Sequence, residues 1–345
     1  MLPRCRTADE PFVMPPFDVQ GSDVEGFMDE LQEFQSLFHD CFARSEARAH
    51  FLDYMIGQYS PRARKSIEPM ALAVEGSRIR SLQRFLSETV WDEEQRRWNY
   101  HQLVADELGE PDGVLMFDES GFIKKGKDSA GVARQYCGTL GKVENCQVGV
   151  FVGYASRQGY ALVDKRLFLP EVWFTEAYAA RQARCQVPAE VTFRTKPQLA
   201  AAMLHHIVPE GLLPFKSVVA DCLYGHSPDF LDAVDACVGV TTLVAMPSET
   251  RGWLQRPRPE DRTYLYKGKE RATRVVVARH SAPCAVAAVA ASLPASSWYQ
   301  RTVSEGTKGP IAYACARQRV TLCKEGLPKR PGWLVIKRTL GVAPT

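Results

Sequence analysis

The chain has 345 residues, of which 45% are hydrophobic and 24% are charged, and its formal net charge is +3. The length predicts two or three domains, and the composition is typical of a globular protein, which excludes disordered and membrane-spanning classes. A net charge this small does not by itself indicate a nucleic-acid partner, although the local distribution of charge can.

Cysteine usage and the start of the chain indicate a reducing compartment. The ten cysteines form no C-x-x-C pair, and several lie in apolar segments, as is typical of reduced core residues. No spacing of cysteine and histidine suits a structural zinc site. The opening stretch "MLPRCRTADEPF" has no signal-peptide apolar core, so we expect a cytoplasmic protein with no membrane partner.

The first region, residues 1–110, is predicted to be helical. Apolar residues recur every three or four positions, and breaks at Ser60-Pro61 and Gly76-Ser77 divide the region into three or four helices. The segment from Lys65 to Leu86 predicts a helix-turn-helix that carries its arginines outward. A helical bundle with a solvated basic face explains the same residues equally well.

The second region, residues 111–248, has the period of strands. Three consecutive strands are predicted in "VLMFD", "NCQVGVFVGYAS" and "GYALVDKRLFLP". A helix, the strand "SVVAD", another helix and the strand "TTLVAMP" follow, which predicts an α/β layer with an initial antiparallel meander. Residues 249–345 lose this alternation, and we expect a strand-rich insertion with basic loops there.

Two of the predicted strands end in an aspartate. One stops at the acid pair Asp118 and Glu119, and the other stops at Asp221. Carboxylates at two strand ends of one sheet can converge where α/β proteins place ligands, and they suit Mg²⁺ or Mn²⁺. A pair of such ions serves phosphodiester chemistry. Either aspartate alone is explained more simply as a turn former or helix N-cap, but together they favour a metal site.

A basic, glycine-rich stretch follows the first acid pair. Five cations lie among five glycines between Gly121 and Val143: Lys124, Lys125, Lys127, Arg134 and Lys142. This composition suits close approach to a phosphate backbone, although a solvated hairpin has the same composition. It is not a P-loop, because Tyr136 stands where that motif requires glycine. The chain also has no G-x-S-x-G, no H-E-x-x-H and no G-x-G-x-x-G after a strand.

Three of these segments carry a resemblance to a known family. In this order, "FDESGFIKKGKDSAGVARQYCGTLGKV", "DKRLFLP" and "VVADCLYG" resemble the DDE transposases of bacterial insertion sequences. The resemblance covers roughly residues 78–250, and "EGTKGP" is similar to a later basic loop of the family. It implies a ribonuclease-H-like mixed sheet in a protein that cuts DNA at transposon ends and joins the 3′-hydroxyl to a target.

The resemblance also implies roles for individual residues. Asp118 and Asp221 match the first and second metal ligands of the family, which binds Mg²⁺ or Mn²⁺. Tyr224 and Gly225 match neighbours that shape the turn of the second acid. The basic residues named above, with Lys308 of the later loop, are the expected contacts to double-stranded DNA. We expect a homo-oligomer on that DNA, at the nucleoid.

The third acid of the family is a glutamate on a late helix, within an R-W-x-I-E pattern. The chain does not contain this pattern, so we expect an incomplete copy that lacks the catalytic C-terminal helix. Glu305 is the remaining candidate, although Gly306, Gly309 and Pro310 disfavour a helix there. Two other functions stay open: a non-catalytic DNA-binding remnant, and a metal-dependent phosphatase or nuclease unrelated to transposition.

Overall fold

The computed structural model describes residues 21–61, 65–267, 269–277, 282–306 and 309–339. Within these ranges the chain forms two compact units. The first contains residues up to 219 together with 227–243, and the second contains residues 220–226 and the chain from 244 onward. None of the helices in the described ranges is both long enough and apolar enough to cross a bilayer.

The N-terminal region of the first unit is all-helical, as predicted. Among its described residues it contains five α-helices, where the sequence predicted three or four: α1 (Gly21–Ser36), α2 (Ser45–Tyr59), α3 (Ile67–Ala71), α4 (Ile79–Glu88) and α5 (Glu93–Leu108). The break between α4 and α5 was missed because the apolar pattern continues across it. Asp92 makes that break by capping α5, where its side chain accepts the backbone N–H of Gln95 at 2.9 Å.

Aromatic rings form the core of the helical region. Phe38, Phe42 and Phe85 are each less than 5% exposed and pack together with Leu82. The ring of Trp91 lies 5.6 Å from that of Phe85 in an edge-to-face arrangement. This core fixes α3 and α4, the two helices of the predicted helix-turn-helix, against α2.

A six-stranded mixed sheet follows the helices, and the fold is ribonuclease-H-like α/β. Its strands are β1 (Val114–Ile123), β2 (Ala133–Cys137), β3 (Lys142–Ala155), β4 (Tyr160–Phe168), β5 (Ser217–Ala220) and β6 (Thr241–Val244). The order is β2-β3-β1-β5-β6, with β4 also paired to β3. Strand β3 runs antiparallel to β1, β2 and β4, which confirms the predicted meander.

Two details of the sheet differ from the sequence prediction. Strand β1 does not end at Asp118, because it pairs with β3 without interruption from Val114 to Ile123. The polar residues that suggested an end are accommodated within a strand whose side chains alternate between two faces. Strand β2 was not predicted, since "ARQYC" is short and lies inside the basic, glycine-rich stretch.

Helices α7 (Lys196–Glu210) and α9 (Pro228–Asp235) cover one face of this sheet, and the short helix α6 (Ala179–Arg184) precedes them in the chain. Helix α7 packs on β3, β4 and α9, and begins with a capping box between Thr195 and Gln198. The ring of Phe230 in α9 lies 5.1 Å from that of Phe117 in β1. The buried side chains of β1, Leu115 and Phe117, therefore point toward the helices.

Helix α5 joins the same face through a buried histidine. The ring nitrogens of His101, which is fully buried, lie 2.6 Å from Glu210 Oε2 and 2.9 Å from the carbonyl oxygen of Val163 in β4. Arg97 Nε donates to the other carboxylate oxygen of Glu210 at 3.1 Å. These bonds attach the helical region to α7 and the sheet, so both belong to one unit.

The second unit is rich in strands, as predicted for the chain beyond Pro247. After the four-residue helix α8 (Cys222–Gly225), its elements are β7 (Arg251–Trp253), β8 (Pro259–Tyr266), β9 (Lys269–Val276), β10 (Cys284–Ala285), α10 (Val286–Ser292), β11 (Tyr299–Gly306), β12 (Gly309–Lys324) and β13 (Leu327–Thr339). Five strands form one sheet in the order β10-β7-β12-β11, with β13 paired to β12, and β8 and β9 form a separate hairpin.

Candidate active site

Asp118 lies on the face of β1 that is turned away from the helices. It is the fifth residue of the strand and is exposed, whereas its neighbour Phe117 is 2% exposed on the opposite face. One carboxylate oxygen of Asp118 accepts the backbone N–H of Glu119 at 2.8 Å. The strand thus presents this carboxylate from a rigid, paired backbone, which is a favourable support for a functional side chain.

Glu119 does not join Asp118 in an acid pair. Because side chains alternate along a strand, Glu119 points to the helix-covered face. There its Oε1 accepts from Lys196 Nζ at 2.8 Å, and both side chains are less than 20% exposed. Lys196 is the first residue of α7, and its ammonium also lies over the ring of Phe168. Sequence reasoning missed Lys196; the start of a capped helix was the available signal.

Asp221 follows β5 directly, as the sequence predicted. It is the N-cap of α8, and its Oδ1 accepts the backbone N–H of Leu223 at 2.8 Å. The simple N-cap interpretation therefore holds for one carboxylate oxygen. Tyr224 and Gly225 behind it are buried. A side chain at Gly225 would meet the carbonyl oxygen of Ala245 at 2.6 Å, which explains why glycine stands there.

Strand β1, which contains Asp118, and strand β5, which Asp221 follows, are neighbours in the sheet. Strand β5 lies between β1 and β6. The backbone N–H groups of Lys216 and Ser217 donate to the carbonyl oxygen of Gly113 at 2.8 and 3.3 Å, so β5 and β1 begin side by side. Within the described ranges, the structure contains no group of three or more His, Cys, Asp or Glu residues arranged to hold a metal ion.

The basic stretch after β1 is an ordered connection held by Asn145. The Nδ2 of Asn145 donates to the carbonyl oxygens of Lys124 and Gly126, at 2.5 and 3.0 Å. Lys125 and Lys127 are exposed on this connection. Because Asn145 is on β3, the sheet fixes the backbone from which these lysines project.

Arg134 and Lys142 are exposed on the neighbouring β2–β3 hairpin. Glu144 lies beside them, with Lys142 Nζ 3.6 Å from its Oε2. The backbone N–H of Asn145 lowers the pKa of the Glu144 carboxyl, and the nearby Lys142 and Arg134 lower it further. One acid therefore offsets part of the positive charge of the hairpin.

The remaining predicted basic residues are placed as follows. Arg78, Arg80 and Arg84 are exposed around α4, so the arginines of the helix pair do point outward. Residues 62–64 and Lys308 lie outside the described residues. Glu305 is in β11, opposite Pro310 of β12. The backbone there forms a strand hairpin, which agrees with the expectation that this segment is not helical.

Comparison with known proteins gives two findings. A family described as "DDE superfamily endonuclease" matches residues 37–310 of the chain. The chain is also similar to a protein named "Probable transposase for insertion sequence element IS701" from Microchaete diplosiphon. That relative is 28% identical over 320 residues, which cover 92% of this chain and 73% of the relative.

Proposed function

We infer that this chain, which belongs to the DDE superfamily of endonucleases, is a transposase of a bacterial insertion sequence. Its substrate is double-stranded DNA, which it cuts at the ends of the element and joins through the exposed 3′-hydroxyl to a target. We place it in the cytoplasm, as a homo-oligomer on nucleoid DNA. The observation that carries the proposal is the pair of aspartates associated with two neighbouring strands, Asp118 within β1 and Asp221 directly after β5.

The two aspartates occupy similar positions relative to their strands. Strands β1 and β5 begin side by side, Asp118 is the fifth residue of β1, and Asp221 is the fifth residue counted from the start of β5. In each strand the second and fourth residues are buried. These are Leu115 and Phe117 in β1, and Val218 and Ala220 in β5. Equal displacement and equal parity place the two aspartates at matching positions relative to their own strands, the first within β1 and the second directly after β5.

The donor set fits a hard divalent cation. Both side chains are carboxylates that accept a backbone N–H, and oxygen ligands are those that Mg²⁺ and Mn²⁺ prefer. We propose Asp118 and Asp221 as the ligands. When bound, such ions activate the attacking oxygen and stabilise the leaving oxygen of a phosphodiester. The protein itself contributes the rigid placement of the carboxylates and the cations that hold the DNA backbone.

The lysine connection is the proposed contact to the phosphates beside this site. Lys124, Lys125 and Lys127 follow β1 directly, and the side chain of Asn145 holds their backbone. Neutralising phosphates with lysine and arginine releases counterions, so binding should weaken steeply with salt. A phosphatase acting on small substrates would not show this salt-dependent binding to duplex DNA.

A second function, DNA binding without cleavage, is favoured by two observations. Among the described residues no third acid joins the two aspartates in a metal-binding group. The chain also lacks the family's R-W-x-I-E pattern. Residues 1–345 would then bind transposon ends and regulate or compete with a complete enzyme.

A nicking assay separates these functions. Purified chain is mixed with supercoiled DNA carrying an element end, and Mg²⁺ or Mn²⁺ is added. Cleavage, even if weak, that is lost in Asp118→Asn and in Asp221→Asn, with duplex binding retained, supports the endonuclease. Duplex binding with no cleavage by the wild type supports the second function. Asp106→Asn, which changes an exposed acid of α5, is the matched control and should cleave like the wild type. Cleavage that survives both site substitutions would overturn the assignment of the aspartates.

A further inference from the structure

Strands β11, β12 and β13 share one face of their sheet, and the pairing of the strands shows which residues lie on it. Tyr299 lies opposite Cys315, Arg301 opposite Tyr313, and Arg319 opposite Trp333. Directly opposite residues of antiparallel strands share a face, so these positions lie together on one side of the sheet. We call this side the arginine–aromatic face.

The arginine–aromatic face carries four cations. They are Arg301 on β11, Arg317 and Arg319 on β12, and Lys337 on β13, and all four are exposed. No acidic residue occupies a position of this face within 299–301, 311–319 and 333–339. Four positive charges on a face that holds no acid within these described ranges form a local positive potential that attracts a polyanion.

Aromatic rings on the same face hold these cations. The guanidinium carbons of Arg317 and Arg319 lie 5.3 and 5.4 Å from the ring centroid of Trp333. Arg301 lies 5.7 Å from the ring of Tyr299, and Lys337 Nζ lies 5.2 Å from the ring of Tyr313. A guanidinium placed over a ring keeps its in-plane N–H donors available, and these match phosphate oxygens in pairs.

The surface is also concave at one end. A depression of about 500 Å³ is lined by Ser297, Tyr299, Arg301 and Arg317. Trp333 beside Arg317 is 57% exposed, which is unusual for a side chain of this size and apolar character. The ring of Trp333 therefore lies on the surface and is not part of the core.

The opposite side of the same strands is the packed one. Ala316 and Val320 of β12 are buried there, at 0% and 4% exposure. Arg338 of β13 alternates to this side, where its guanidinium lies 3.8 Å from the ring centroid of Trp298. Arg338 is thus on the same strand as Lys337 but is not part of the arginine–aromatic face, so it provides a matched control.

We propose that the arginine–aromatic face is a second DNA-binding surface, which clamps the phosphodiester backbone with arginines positioned by aromatic rings. The inference rests on the proposed function, because it takes DNA as the polyanion. The positive charge of the face favours a polyanion as the ligand. The guanidiniums beside aromatic rings favour phosphate groups over a simple counterion, because they offer paired N–H donors. The sequence did not predict this surface. Its residues come from three strands, and they share one face only because of the register in which those strands pair.

The test is the binding of residues 1–345 to a labelled random-sequence duplex, measured by fluorescence anisotropy at several salt concentrations. Replacing both Arg317 and Arg319 by glutamine should weaken binding on the order of tenfold and lower the salt slope by roughly two. The variant with lysine at both positions keeps the charge but loses the paired donors, and it should bind with intermediate affinity.

Trp333→Leu changes no charge and should weaken binding severalfold, because the ring no longer positions the arginines. Arg338→Gln should bind like the wild type.

Each contrary outcome has a defined meaning. A wild-type chain that binds, with a double glutamine variant of equal affinity and slope, overturns this inference alone. A wild-type chain that does not bind duplex DNA overturns the proposed function and this inference with it. Unchanged binding by Trp333→Leu overturns the positioning role of the ring. Equal losses in Arg338→Gln and in the glutamine variants would show a general charge effect and would also overturn the proposal.

Discussion

Lys196 Nζ donates to Glu119 Oε1 at 2.8 Å, and this ion pair joins the first turn of α7 to β1 directly behind Asp118. The two side chains are only 16% and 18% exposed, so neither charge is well solvated. Since Glu119 and Asp118 are consecutive residues of a strand, holding one on the helix-covered face holds the other on the open face. The ion pair is therefore a positioning device for the candidate ligand.

Removing one partner of this pair should destabilise the protein. Lys196→Met removes the cation that lies 2.8 Å from the largely buried Glu119 carboxylate, and we expect a loss of about 2 kcal/mol in the free energy of unfolding. Urea denaturation of residues 1–345 measures it. The double variant Lys196→Met with Glu119→Gln should recover part of the loss. Arg84→Met, which removes an exposed ion pair with Glu88, is the control and should change stability by less than about 0.5 kcal/mol.

Equal stability of Lys196→Met and the wild type would contradict the positioning role. So would a loss in Arg84→Met as large as that in Lys196→Met. If the pair positions Asp118, the Lys196→Met chain should also lose any metal-dependent cleavage more than it loses DNA binding. A uniform loss of both would indicate general unfolding instead.

The order of the main elements could be predicted from the sequence, because apolar period distinguishes helices from strands over long segments. The end of β1 could not. Its polar residues resemble a turn, and only the pairing with β3 shows that the strand continues to Ile123. The five helices were undercounted for a related reason, since one amphipathic pattern runs through the break at Asp92.

The candidate site was predictable where the signal is local and not where it depends on tertiary contacts. Asp221 was placed correctly after β5, because an aspartate that follows an apolar run is visible in the sequence. The pairing of Glu119 with Lys196 joins residues 77 positions apart, and no local pattern predicts it. The same holds for Arg317 and Trp333, which meet only through the register of β12 and β13.

The cysteines should differ in reactivity with an alkylating reagent. Burial raises the pKa of the Cys41 thiol from its ordinary value of 9.0 to about 11, and the hydrogen bond with Asp40 adds to the effect. The thiol therefore stays protonated at pH 8, and its contribution to stability is full below pH 9 and is lost as the pH rises through about 11. We expect iodoacetamide at pH 8 to modify exposed Cys222 and to spare Cys41, as read by peptide mass spectrometry. Equal modification of the two residues in folded protein would contradict this expectation.

The lysine connection should bind DNA only while Asn145 holds it. Changing Lys124, Lys125 and Lys127 to glutamine should weaken duplex binding and lower the salt slope by roughly one unit for each phosphate that is no longer neutralised. Asn145→Ala removes no charge but frees the carbonyl oxygens of Lys124 and Gly126 from their donor, so affinity should fall with the formal charge unchanged. Anisotropy titrations at several salt concentrations measure both.

Gln158→Ala, a change at an exposed residue of the β3–β4 turn, is the control for these titrations and should bind like the wild type. An unchanged affinity and slope in the triple glutamine variant would reduce the connection to a solvated loop. An unchanged affinity in Asn145→Ala alone would show that the lysines act without a fixed backbone.

Residues 1–345 should bind duplex DNA and cleave it weakly or not at all. The resemblance implies two metal ligands, the proposed Asp118 and Asp221. The third acid of the family lies on a helix, whereas Glu305 lies in strand β11 of a hairpin. Mg²⁺ demands near-ideal octahedral geometry, and each ~1.4 kcal/mol lost from transition-state stabilisation costs a tenfold loss in rate. We therefore expect Glu305→Gln to leave both binding and any residual nicking unchanged. If the wild type nicks transposon-end DNA, and Glu305→Gln abolishes the nicking with binding intact, Glu305 is the third acid and the triad lies within these residues.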